Sequence, residues 1–319
     1  MMIGCIDDVP HDNPLDPLSP SFKKIGSLSG HVIIANQTTG VAGADISAID
    51  DGISVTTDSL GNFSFVQLST GTHRFVCTKQ NFSNDTFSVN IQSGVSSQVL
   101  RSLNGAPIVL SQKILTRKID QYFPSPEYFV EIAANVTDPN GFNDLVTVWF
   151  AADTLRFPMS YSPTSRNFEA TLLKSNFPTN TIQWLVGKPL HIISRDTNNA
   201  VNISDPFFVT RVIENGATPT DPSPFNNDTI KISPFSFNWT PPNVTFNYTY
   251  TLTVSRIINA GIQSVVWTNS GIHSLTQTQQ YPPDGSTPLL QPGNYVWTIS
   301  VVDDFGNYAR SKESSFVVQ

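Results

Sequence analysis

The sequence predicts an all-β protein built from three tandem β-sandwich domains. Three observations carry that expectation. Apolar residues recur at alternate positions over short segments, as in Tyr128, Val130, Ile132, Ala134 and Val136, the spacing of a half-buried strand. No stretch of a dozen residues holds a 3.6-residue apolar period, so helices are not expected. One segment also occurs twice: Arg195-Asp196-Thr197-Asn198-Asn199 running to Phe208-Val209 matches Asp303-Asp304-Phe305-Gly306-Asn307 running to Phe316-Val317 without a gap. Each copy sets a polar turn between two strand-like segments, using residues that tolerate left-handed backbone or bond their own main chain. A repeat of this kind implies a repeated domain.

Composition agrees and narrows the function classes. A chain of 319 residues has room for about two or three domains. Charged residues make up only 13%, roughly half the usual share, and Ser, Thr, Asn and Pro replace them, as suits turns and exposed strand faces. The net charge of −7, with dispersed lysines and arginines, argues against nucleic-acid partners, which need clustered cations. No apolar run approaches the roughly 20 residues that would cross a bilayer as a helix. Two cysteines are too few for a disulfide framework.

Residues 1–25 read as a leader and tether. The prolines between Asn13 and Pro20 prevent a helix or central strand and keep the segment extended. Ile3-Gly4-Cys5 resembles the cleavage box of bacterial lipoproteins, and Asn13-Pro14-Leu15-Asp16-Pro17-Leu18-Ser19-Pro20 is similar to the stalk that follows it. The resemblance implies lipidation of Cys5, a membrane partner through the lipid anchor, and a bacterial cell-envelope address, outer-membrane-anchored on its periplasmic or surface face. Only Met1 to Gly4 precede Cys5, whereas such a signal has a basic start and an apolar stretch of about 7–15 residues. The alternative is a leader with an incidental cysteine.

The first sandwich is expected over residues 26–104. Val32 and Ile34, then Ala44, Ile46 and Ala48, then Phe63 and Phe65, then Phe75 and Cys77, then Phe87, Val89 and Ile91 each alternate with polar neighbours. Gly30-x-Val32, Gly43-Ala44-x-Ile46, Thr57-Asp58-x-x-Gly61-x-Phe63-x-Phe65 and Leu68-x-x-Gly71 resemble the carboxypeptidase regulatory-like domain. That family implies a seven-stranded, transthyretin-like sandwich without catalysis of its own.

The second sandwich, residues 105–215, rests on the Tyr128–Val136 alternation, on a fuller apolar run from Leu145 to Phe150 expected to be covered on both faces, and on a hairpin from Tyr161 to Leu172. Its Val136-Thr137-Asp138-Pro139-Asn140-Gly141-Phe142-Asn143-Asp144 loop resembles that of bacterial immunoglobulin-like domains. In the third, residues 216–319, Phe235-x-Phe237-x-Trp239 resembles strand B of fibronectin type III domains. Leu290-x-Pro292-Gly293-x-Tyr295-x-Trp297 is similar to that family's tyrosine corner, one residue shorter than the common spacing, which leaves the corner hydrogen bond open. The linkers at Gly105-Ala106-Pro107 and around Pro219, Pro222 and Pro224 are stiff and polar, as boundaries tend to be.

No catalytic constellation emerges, and no enzyme or cofactor is expected. The five histidines lack zinc-protease spacing, and there is no Gly-x-Ser-x-Gly elbow, phosphate loop or dinucleotide fingerprint. His73 and Cys77, four apart on a strand, would lie about 13 Å apart. Asp50-Asp51 and Asp303-Asp304 are neighbours pointing to opposite faces and read as turn formers. Asp138, Asn140, Asn143 and Asp144 gather oxygens on one loop, as calcium loops do. Their order does not fit Asp-x-Asx-x-Asx-Gly, so a structural turn is expected, with calcium at Asp138, Asn140 and Asp144 as the alternative. Trp149, Trp239 and Trp297 are expected in cores, and Trp184 and Trp267 are the candidates for ligand stacking. The expected function is a non-enzymatic, lipid-anchored envelope protein acting as a structural spacer or as an adhesion or binding module for a protein or glycan. A carbohydrate-binding accessory protein serving an envelope enzyme or transporter is the alternative.

Overall fold

The computed structural model describes residues 12, 13, 16, 18, 19 and 24–319, except 123–125, 222, 226, 233, 260 and 261. Cys5 and the start of the tether lie outside the described residues. Within them the chain is all-β: strands joined by turns and four short 3-10 segments, with no α-helix. The multiple-sandwich expectation holds. Contacts group the chain into two compact units. One comprises the described residues up to Ile108 with Val136–Thr147 and Ser194–Asn202, and the other holds the remainder.

The first unit is built on a seven-stranded, two-sheet sandwich. One sheet orders Asn62–Ser69, Ile25–Ile34 and Ser96–Leu103 side by side; the other orders Ile53–Thr56, Asp45–Ala48, Gly71–Thr78 and Asp85–Ile91. The alternation read from the sequence is the cause. Leu28, Val32, Ala44, Ile46, Phe63, Phe65, Phe75 and Cys77 all turn inward into one core, and a fully buried phenylalanine contributes about 1.5–3 kcal/mol. Phe75 stacks on Phe87 with ring centres 5.3 Å apart. Cys77 is fully buried beside them, and burial pushes its thiol up to about 11, so it serves as core rather than nucleophile.

His73 shares that inward face. Its ring contacts the Asp51 carboxylate at 2.5 Å and the Ser69 carbonyl at 2.7 Å, while Asp50, on the opposite face, receives the neighbouring Arg74. Burial alone would lower the pKa of His73, but the bonds to Ser69 and Asp51, with the further pull of Asp50, raise it above the ordinary value. A histidine raised in this way adds stability fully below its unfolded pKa, near 6.5, and loses it as pH rises through the folded value. Denaturant midpoints of wild type and His73→Gln should therefore converge as pH rises above about 6.5. Curves that stay parallel would show that folding does not raise the pKa of the ring.

In the second unit the strands expected of the second and third sandwiches share a sheet. Its order runs Ser160–Ser162, Asn167–Leu173, Glu127–Thr137, Ile108–Ile119, Tyr308–Arg310, Gly293–Asp303, Tyr248–Asn259 and Ile262–His273. The joint is a short parallel pairing of Arg117 with Tyr308 and Ile119 with Arg310. A three-residue strand beside a long one provides an edge to pair, and the sheet continues across the sequence boundary near 215. In Leu145–Ala152 the face of Val148, Phe150 and Ala152 is buried apart from Val146 at its start, and the other face is half-buried at Leu145, Thr147 and Trp149 and buried at Ala151. Trp149 correspondingly points away from that core and is half-buried, whereas Trp239 and Trp297 are buried as expected. The tyrosine corner forms despite its shorter spacing, with the Tyr295 hydroxyl donating to the Gln291 carbonyl at 2.7 Å.

Candidate metal centre

One turn recurs three times, and its third use differs from the others. At Asp58-Ser59-Leu60-Gly61-Asn62, the Asn62 amide N–H donates to Asp58 Oδ1 at 2.8 Å, and the Gly61 N–H donates to the Asp58 carbonyl. At Asp303-Asp304-Phe305-Gly306-Asn307 the same bonds run from Asn307 and Gly306 to Asp303. At Asp196-Thr197-Asn198-Asn199-Ala200 they run from Ala200 and Asn199 to Asp196. The fourth residue carries positive φ in each (Gly61 +87°, Gly306 +91°, Asn199 +65°), a backbone that glycine and asparagine adopt most readily.

These bonds correct the register of the repeat. Asp196 corresponds to Asp303, not to Asp304. The strands beyond agree, because Ser204 bonds Ile192 as Ser311 bonds Ile299. The ungapped match of Phe208-Val209 to Phe316-Val317 is therefore one residue out of step with the backbone.

The final residue of the turn sets the chemistry. Asn62 Nδ2 donates to Asp58 Oδ2, and Asn307 Nδ2 donates to Asp303 Oδ2 at 3.0 Å. Asp303 is also paired with Arg211 at 2.9 Å, so its buried charge is neutralised. Alanine occupies that place beside Asp196. Asp196 Oδ2 instead accepts from Asn104 Nδ2 at 2.5 Å, and Asp196 stands against Asp138 and Asp144.

One oxygen from each of Asp138, Asp144 and Asp196 lies within 4.8 Å of the others, and all three residues are buried. Asp138 accepts the Asn140 N–H through Oδ1, and Asp144 accepts the Thr197 hydroxyl through Oδ1. Their Oδ2 atoms have no hydrogen-bond partner. Among the described residues no lysine, arginine or histidine pairs with any of the three. Burial, and then the charges of Asp144 and Asp196, push the Asp138 carboxyl up to about 6. Uncompensated buried carboxylates are costly unless protonated or matched by a cation. An oxygen-only set suits a hard cation and not the nitrogen and sulfur chemistry of zinc or copper.

Asn140 does not join the cluster. Its Oδ1 accepts from the Gly105 N–H and its Nδ2 donates to the Ala35 carbonyl, each at 2.7 Å. Gln37 adds a bond to the Pro139 carbonyl. A Cβ on Gly105 would lie 2.6 Å from the Pro139 ring, so glycine permits this approach. The loop is thereby fixed to the rim of the first sandwich. Asn143 is exposed. Of the calcium alternatives, Asp138 and Asp144 come together, Asn140 is structural, and Asp196 completes the set. The sequence signal for Asp196 was the alanine at position 200 of the repeated turn.

The stacking candidates are both engaged by the protein. Trp184 sits on the 3-10 segment Ile182–Leu185, stacked on Phe177 at 6.1 Å with Lys188 Nζ 4.5 Å from its ring centre. Trp267 stacks on Phe237 at 6.3 Å and meets Tyr281 edge-on at 5.1 Å, at the margin of the core.

No protein-family model and no curated protein sequence matches the chain. Among solved structures it is similar to the major pilin subunit BcpA of Bacillus cereus (14% identity, 89% of this chain and 91% of that one, TM-score 0.30). It is also similar to the FN1–FN3 domains of chicken CNTN1 (9% identity, 88% and 92%, TM-score 0.33). A DUF3823 family protein from Bacteroides ovatus matches over 57% of this chain and 97% of its own (11% identity, TM-score 0.26). Likeness at this level concerns folding pattern alone.

Proposed function

We propose a non-enzymatic cell-envelope protein, anchored through a lipidated Cys5, whose sandwiches hold a binding surface away from the membrane. The first sandwich is read as a carboxypeptidase regulatory-like, transthyretin-like module. The Asp58 turn supports this, since it delivers Phe63 and Phe65 of the motif into the core. The observation that carries the binding role is the twelve-residue strand Ile262–His273. It ends its sheet and exposes Ile262, Val265 and Val266 beside Ile258 of the partner strand. Such an edge offers both backbone hydrogen bonds and apolar contact to a protein partner. Three register shifts against Tyr248–Asn259 twist it away from indiscriminate pairing. A glycan role through Trp184 or Trp267 has less support, since each ring is half-buried and already stacked on a phenylalanine.

The test begins with protein isolated from the cells that make it. Mass spectrometry of its amino-terminal peptide should find acylated Cys5, with the chain in the membrane fraction. Unmodified Cys5 in a soluble fraction would remove the anchor. A panel of hydrolase and transferase substrates should show no turnover above a heat-denatured sample, and reproducible turnover would overturn the non-enzymatic reading.

A further inference from the structure

We propose that Asp138, Asp144 and Asp196 form a calcium site that binds the loop 136–147 and the turn 194–202 to each other and to the rim of the first sandwich. The proposal is independent of anchoring and of the binding role of the Ile262–His273 edge.

Two separate observations lead here. The Oδ2 atoms of Asp138 and Asp144, on residues about 95% buried, have no hydrogen-bond donor, and three carboxylates meet with no basic side chain among the described residues to balance them. Independently, the same turn is self-sufficient at Asp58 and at Asp303, where an asparagine amide covers Oδ2. At Asp196 Ala200 replaces that asparagine, Asn104 from outside the turn covers Oδ2 instead, and two further carboxylates arrive.

Ligand chemistry selects the ion. Three carboxylates whose oxygens lie within 4.8 Å of one another can converge on one hard cation, and calcium accepts such oxygen sets in flexible geometry, whereas magnesium demands a near-ideal octahedron and gives up its waters reluctantly. Calcium's coordination number of 6–8 leaves places for water and further oxygens. The ligands come from positions 138, 144 and 196, so the ion would cross-link two segments that are far apart in sequence. Asn104 supports it from behind: its Nδ2 holds Asp196, and its Oδ1 accepts from Asn198.

The experiment follows thermal unfolding of the full chain after stripping with a chelator, in buffer alone, in about 5 mM calcium chloride and in about 5 mM magnesium chloride, concentrations that saturate even weak extracellular calcium sites. Wild type should gain several degrees in calcium and markedly less in magnesium. Asp144→Asn and Asp138→Asn should lose that gain, and Asp284→Asn, an exposed carboxylate in a self-bonded turn, should keep it. If one cluster variant fails to fold, the other carries the comparison. The absence of any calcium gain in wild type, an equal gain in magnesium, or an undiminished gain in both cluster variants would each overturn the site.

Discussion

Trp297→Ala should destabilise the second unit by about 3–5 kcal/mol, the largest single effect expected in the molecule. The indole is fully buried, tilts against Phe237 with ring centres 4.9 Å apart, and donates its Nε1–H to the Pro224 carbonyl at 2.6 Å. Its strand pairs on one side with Val254 and on the other with Ser314, so neighbouring backbone cannot collapse into the void. The cost therefore combines lost transfer energy, cavity and the shorter of the two hydrogen bonds to the Pro224 carbonyl, which keeps Ser314 Oγ at 3.3 Å. Trp297→Phe keeps most of the ring and should cost roughly 1–3 kcal/mol, for the lost hydrogen bond and the smaller ring. Calorimetric unfolding checks both values. Equal losses for the two variants would place the energy in the hydrogen bond alone, and a loss under about 1 kcal/mol for alanine would contradict the packing described.

The second large effect separates two buried aspartates of opposite circumstance. In metal-free protein Asp303→Asn should cost roughly 3 kcal/mol. The new amide would face Arg211 and the Asn307 amide, donor against donor, where a carboxylate now accepts from both. Asp138→Asn should instead leave metal-free protein unchanged or gain on the order of 1 kcal/mol. It keeps the Oδ1 acceptor for the Asn140 N–H, removes one of three crowded charges, and supplies a donor toward the others. In calcium that ranking against wild type should reverse, because the variant forfeits a ligand. Chemical denaturation with and without chelator reads all of this. A large metal-free loss for Asp138→Asn would mean the cluster is already satisfied within the protein.

Much of the fold was legible because alternating side chains report directly on strands. Phe63, Phe65, Phe75 and Cys77 point where their spacing places them. What the sequence hid depended on distant pairing. Nothing near Tyr308 reveals that its short strand will lie beside Arg117 and carry a sheet across a linker. Trp149 looked like a core residue, yet it lies on the half-buried face of Leu145–Ala152. The carboxylate site was half visible. Asp138 and Asp144 share a loop, but Asn140 looks equally fit as a ligand until its amide is seen bonded to Ala35 and Gly105. Asp196 is more than fifty positions from Asp138, and the off-by-one match with Asp304 concealed its kinship to Asp303. Hydrogen bonding defines that register, and apolar coincidences between Phe208 and Phe316 do not.

The central claim is that the unpartnered buried oxygens of Asp138 and Asp144, together with Asp196, hold one calcium ion. Calorimetric titration of calcium into the chelator-stripped full chain measures it directly. One calcium per chain, with binding lost in Asp144→Asn, is the expected result. No saturable heat in wild type, or the same heat in the variant, would contradict it.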